Sequence, residues 1–220
     1  MSRDWKLVPY SKATPHIKDG DVLLFRGKGL ISHIIMREGR GDYSHVGYAT
    51  WAGDVLEIVE FREFKGGRGV ALEVEVENNP GIIDVYRPTS IVEMNYFNGN
   101  EVVSERFATN AKSAANSLRK STGRAYGWGS LWLASLRHML FIRWFMKNPK
   151  EDLFNPKSPT YCSQAVAMHW RLSNTFILKD GTMAPMDLVP NLPDWLTEPS
   201  DIARSSYLTY LMTLEPDSKE

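Results

Sequence analysis

The chain has 220 residues, 43% of them apolar and 11% aromatic, and its 26 basic residues balance 26 acidic ones. That length suits one domain with a sizeable core, and the even charge argues against nucleic-acid binding and against broad adhesion to anionic membranes. A single cysteine, Cys162, excludes an internal disulfide framework and an all-protein thiolate zinc site.

Residues 1–19 are mixed and polar, a surface lead-in with no apolar core of signal-peptide length. This points to a cytoplasmic protein, unless a phage or a dedicated export route delivers it. "GDVLLFRGKG" is a short apolar run between glycines, the pattern of a buried strand. "LISHIIMREG" puts Leu30, Ile31, Ile34 and Ile35 on one face of a short helix that Gly39 would cap. "SHVGYATWAGDVLEIVEF" predicts two strands around a turn at Ala52-Gly53-Asp54. "KGGRG" reads as another turn. "VALEVEVE" alternates apolar and acidic, as a strand with one wet face would. "GIIDVYRP" is a further strand.

The character then changes. Helix is expected from about Asn100 to Lys120, again from Gly129, and again through "YCSQAVAMHWRLSN". "PSDIARSSYLTYL" is the last ordered element. Strands first and helices later predict an α+β fold with an antiparallel sheet. The expected organisation is a lead-in over 1–19, one domain over 20–210 with a helical insertion near 130–157, and a tail over 211–220.

Residues 130–147 approach the minimum length of a membrane span. Arg137, His138 and Arg143 interrupt them, and each mid-span charge costs about 2.5–3.5 kcal/mol on insertion scales. A buried helix is the first reading of this stretch. A greasy surface for lipid or a partner protein is the second.

The chemistry centres on Cys162. Pro159 blocks helix upstream, so the cysteine falls at a helix start. There the positive end of the helix dipole and unpaired N–H groups favour a thiolate, and the same groups can hold an oxyanion. A buried structural cysteine is the bland alternative. A catalytic thiol needs a base within hydrogen-bond reach. His169, seven positions on, is two helical turns away, roughly 10 Å of rise, and cannot touch the sulfur. His138 reads as a packing residue, His16 has no supporting pattern, and His33 sits among isoleucines. His45 heads a strand, which fixes the ring and leaves it open to a cleft. Small Gly47 beside it lets something large pack close. Glu57 and Glu60 lie on the paired strand, on opposite faces, so only one can orient the imidazole.

The set "GDVLLFRG", "YSHVGYAT", "VLEIVEF", "GRAYGWGS", "YCSQAV" and "PSDIA", in that order, resembles the circularly permuted papain-like amidases, relatives of the NlpC-type cell-wall peptidases. The resemblance runs from about Gly20 to Ser205, with the histidine before the cysteine as in permuted members. It implies Cys162 as nucleophile, His45 as general base and Glu57 as the orienting residue, with Glu60 its rival. It also implies that Tyr126 lines the substrate site and that "PSDIA" closes the fold. One departure is the long gap from Tyr126 to Cys162, which holds the apolar stretch and remodels substrate access. The implied activity is hydrolysis of an amide, in a peptidoglycan peptide or a small molecule, with no metal and no organic cofactor. The alternatives are a lipid-directed acyltransferase or hydrolase, with residues 130–147 touching the membrane, and a non-catalytic binding module.

Overall fold

A computed structural model of the chain describes residues 6–38, 41–63, 65–79, 81–99, 101–124 and 161–218. The expected helix over 130–147, the Gly39 cap, Tyr126 and the insertion near 130–157 lie outside these residues.

The fold is α+β, with a mixed sheet packed against helices. Its seven strands run in the order β1 (Leu7–Pro9), β11 (Leu208–Glu215), β6 (Ile82–Pro88), β2 (Val22–Arg26), β3 (His45–Ala52), β4 (Val55–Arg62) and β5 (Gly66–Ala71). Only β1 and β11 are parallel; every other neighbour is antiparallel. Both chain ends thus enter the sheet. The lead-in carries β1, helix α1 (Tyr10–Ala13) with buried Ala13, and buried Ile17; the expected tail begins inside β11, and β9 (Thr175–Ile177) and β10 (Met183–Pro185) form a separate antiparallel pair.

The β3–β4 hairpin forms as the pattern requires. Gly53 takes the left-handed φ of 61° that its tight turn needs. Ala52 pairs with Val55, and the register follows back to Gly47 opposite Glu60. Gly47 is small for a reason: a Cβ there would sit 2.7 Å from the Val59 carbonyl oxygen.

Three expectations fail. "KGGRG" is not merely a turn, because Gly66–Ala71 form edge strand β5. "VALEVEVE" is not a strand. After β5 it becomes helix α3 (Leu72–Asn78), which buries Leu72 and Val76 one helical turn apart. Apolar residues at i and i+4 suit a helix as well as period 2 suits a strand, and the core claims the helical pair. The helix expected from Asn100 starts only at Ala111. Residues Ile91–Asn98 (β7) and Glu101–Ala108 (β8) form a separate two-stranded hairpin around Gly99. Val92, Met94 and Phe107 turn one face of that ribbon to the core.

Two apolar clusters flank the sheet. One holds Leu23, Phe25, Ala49, Ile58, Leu72 and Val76. The other packs Val22, Tyr48, Val59 and Phe61 against helices α4 (Ala111–Arg119) and α5 (Cys162–Ser173), through Leu118, Ala165, Val166 and fully buried Trp170. Among the described residues no helix is long and apolar enough to cross a membrane.

Candidate active site

Three elements supply the site: the start of β3, the far half of β4 and the first turn of α5. His45 is the first residue of β3. It pairs with Phe25 of β2, whose ring meets the imidazole edge-on at 5.3 Å between centroids. The segment entering the strand is pinned by α6 (Pro199–Arg204), the "PSDIA" element. The Tyr43 N–H donates to the Ser200 hydroxyl at 3.2 Å, and that hydroxyl donates to the Tyr43 carbonyl at 3.3 Å. A Cβ on Gly41 would collide with Ser200 at 2.3 Å, so α6 lies directly on the loop before His45.

Cys162 is the first residue of α5, as the proline upstream predicts. Tyr161 before it is extended, with φ −98° and ψ 171°, and its side chain does not cap the helix. The first-turn N–H groups of a helix can receive an incoming oxygen. The helix is anchored on either side of its start. Ser163 donates to the Thr197 carbonyl at 2.7 Å, and the Tyr48 hydroxyl donates to the Val166 carbonyl at 3.0 Å. The cysteine itself is buried.

The His45 ring joins the two halves. Its Nε2 lies 2.6 Å from Oε2 of Glu60, a carboxylate that is 0% exposed. The Cys162 thiol stands close enough to the same ring that its charge favours the protonated imidazole. With Nε2 held by Glu60, Nδ1 is the nitrogen left for the sulfur. Nδ1 has no hydrogen-bond partner among the described residues, and such contacts commonly tighten only when substrate binds.

Electrostatics follows from that geometry. Burial opposes charge on His45, but Glu60, and behind it Cys162, outweigh burial and raise the ring to about 10. Burial also opposes charge on Glu60. The His45 imidazolium, backed by Arg62 and Arg68, holds that carboxyl well below the usual range, at about 2.

Of the residues expected from sequence, His45 and Cys162 come together. Glu57 does not join them. It pairs with Thr50 across the hairpin, on the face opposite Glu60, and its carboxylate lies 2.7 Å from Arg119 of α4. The carboxylate against His45 is Glu60, because Glu60 stands across from Gly47, and Gly47 shares a strand face with His45. Tyr126 lies outside the described residues. His33 is exposed on helix α2 (Leu30–Glu38). His169 is structural, as its position predicts: Nδ1 meets the Ser117 hydroxyl at 2.8 Å and Nε2 meets that of Ser121 at 3.3 Å, tying α5 to the end of α4. Among the described residues no group of three or more His, Cys, Asp and Glu side chains converges as a metal site.

The fold has a solved counterpart. The chain is similar to a metalloprotein, yiiX, from Escherichia coli O157:H7, with a TM-score of 0.54 over 91% of this chain and 99% of that one. At 13% identity the likeness is one of fold. No family profile matches the sequence, and no curated protein matches it.

Taken together, a buried thiol at a helix start and an imidazole held by an ionised carboxylate can form a thiolate–imidazolium pair. Such a pair suits nucleophilic attack on a carbonyl carbon.

Proposed function

We propose that the protein is a cysteine hydrolase of permuted papain-like architecture that cleaves an amide bond. Cys162 is the nucleophile, His45 the general base and acid, and Glu60 the residue that orients His45. The observation that carries this reading is the buried His45 ring, held by the Glu60 carboxylate at 2.6 Å and close enough to the Cys162 thiol at the start of α5 to feel its charge. The order of histidine and cysteine in the chain, and the docking of α6 on the loop before His45, support the permuted architecture.

In the first step the Cys162 thiolate, paired with a His45 imidazolium that carries a proton on Nδ1, attacks the carbonyl carbon. The carbonyl π electrons move to oxygen, and N–H groups of the first turn of α5 stabilise the negative charge. The C–N bond then breaks, and His45 returns its proton to the leaving nitrogen as an amine forms. In the second step water gives a proton to His45 and its oxygen attacks the thioester carbon. Collapse expels the thiolate and releases the acid. Glu60 keeps Nε2 occupied throughout, so the ring cannot turn its reactive nitrogen away from the sulfur.

Cys162 is the only thiol in the chain, so alkylation reports on this site alone. With a small haloacetamide at pH 7, the wild type is expected to react at least about tenfold faster than His45→Ala. Equal rates would sink the catalytic reading and leave a binding module. Lipid-directed acyl transfer or hydrolysis by the same residues is a second reading, motivated by the apolar stretch over 130–147. Flotation with liposomes separates the two, since a wholly unbound protein removes the case for lipid.

A further inference from the structure

Glu60 has two carboxylate oxygens, and only Oε2 faces His45. The other, Oε1, accepts a hydrogen bond from Arg68 Nε of β5 at 2.8 Å, and Arg68 Nη2 stands 2.5 Å from it as an ion pair. Arg62 of β4 stands 3.5 Å from the same oxygen. Both arginines are in turn held by Glu75 of α3. Arg68 Nη2 lies 2.7 Å from its Oε1, and Arg62 Nη1 lies 2.5 Å from its Oε2. The chain of contacts is continuous from α3 to the imidazole: Glu75, two arginines, Glu60, His45.

We propose that Arg68 is a positioning residue for His45, clamping one oxygen of Glu60 so that the other stays aimed at the imidazole. This rests on the cysteine-hydrolase reading. The physical need is plain. A carboxylate with no solvent exposure must have its lone pairs satisfied, and a free carboxylate end can rotate about its terminal bond. The guanidinium fork donates to Oε1 through Nε and to Glu75 through Nη2, so the oxygen is held by a side chain that is itself held. Glu75 fixes the fork. It can do so because "VALEVEVE" folds as a helix whose buried Leu72 and Val76 seat α3 against the sheet.

The groups that bear on the His45 proton are then Glu60 from β4 and Cys162 from α5. Behind Glu60 stand Arg62, Arg68 and Glu75. Arg68 also keeps Glu60 ionised, so that it can hold an imidazolium.

The test compares wild type, Arg68→Gln, Arg68→Lys and Glu75→Gln. Each is checked for folding by thermal melting, then alkylated at Cys162 with a haloacetamide at pH 7. The Glu60 carboxyl is titrated by carbon NMR. Arg68→Gln is expected to label roughly tenfold more slowly, and its Glu60 carboxyl to take up a proton about one pH unit higher. Arg68→Lys keeps the charge without the fork and recovers only part of the rate. Glu75→Gln gives a smaller loss in the same direction. A folded Arg68→Gln that labels at the wild-type rate with Glu60 titrating unchanged overturns the proposal. If Arg68→Gln does not fold, an unchanged rate in Glu75→Gln overturns it instead. Failure of the hydrolase reading looks different: wild type and His45→Ala then label alike, while the Glu60 titration still answers for Arg68.

Discussion

His45 and His169 are both buried, at 7% and 6% exposed, one near the first residue of α5 and the other within that helix, yet their surroundings shift them in opposite directions. His45 is raised because an ionised carboxylate and a thiol face it. His169 is lowered to about 4, first by burial and then by the charge of Arg124. Its two nitrogens meet only hydroxyls, those of Ser117 and Ser121. The Ser121 hydroxyl donates to the Leu118 carbonyl at 2.7 Å, so it accepts from Nε2–H, and Nδ1 is left to accept from Ser117. Both ring nitrogens of His169 are thereby engaged in holding α4 to α5. In His45 one nitrogen, Nδ1, has no hydrogen-bond partner among the described residues. Burial alone therefore does not set the direction of the shift; a buried counter-charge on the other nitrogen does.

The largest expected effect breaks the comparison at its reactive end. Cys162→Ala should abolish turnover of any amide substrate while the protein folds and melts normally, as read by product release and circular dichroism. Persistent turnover in that variant would end the hydrolase reading. Next comes Glu60→Gln, which removes the counter-charge. His45 should then behave more like His169, its proton affinity falling by several pH units in a histidine NMR titration and haloacetamide labelling slowing by ten- to a hundredfold.

Stability against pH sharpens the contrast. The folded value of His45 lies above its unfolded 6.5. Its stabilisation is fully present below pH 6.5 and is lost as pH rises toward about 10. The folded value of His169 lies below 6.5, at about 4. Its contribution is present above pH 6.5 and is lost as pH falls toward about 4, by up to roughly 3 kcal/mol. His169→Gln should flatten the acid side of the denaturation profile and leave the alkaline side alone. The same variant should lower stability by about 1–2 kcal/mol through its lost hydrogen bonds, with Cys162 labelling unchanged. The smallest effect belongs to Glu57→Gln. Its Arg119 partner is 36% exposed, so the loss should stay within about 1 kcal/mol, and labelling should hold within about twofold. A large drop in labelling would return Glu57 to the site.

The choice between Glu57 and Glu60 shows where reading the sequence stops. Strand alternation says that only one of them can face His45. Which one depends on whether the hairpin loop holds two residues or three, and a slip of one residue turns every side chain to the other face. Pairing of Ala52 with Val55 makes the loop Gly53-Asp54 and selects Glu60. The strand over "EVVSERFA" was hidden for a similar reason. Val103 and Phe107 are four apart, which reads as one helical face, and only pairing with β7 reveals the ribbon.

The buried strands β2 and β6, the β3–β4 hairpin, the helix start at Cys162 and the place of His45 at the head of a strand were legible in the amino-acid sequence. Those follow from local rules: apolar periodicity, glycine at a tight turn, proline before a helix, and the reach of a side chain. Tertiary structure alone decided that Glu60 orients the ring, that α3 is a helix and that Arg68 and Glu75 stand behind the carboxylate. Register and helix docking set those, and both depend on which apolar surfaces meet across the whole sheet rather than on any neighbourhood in the chain.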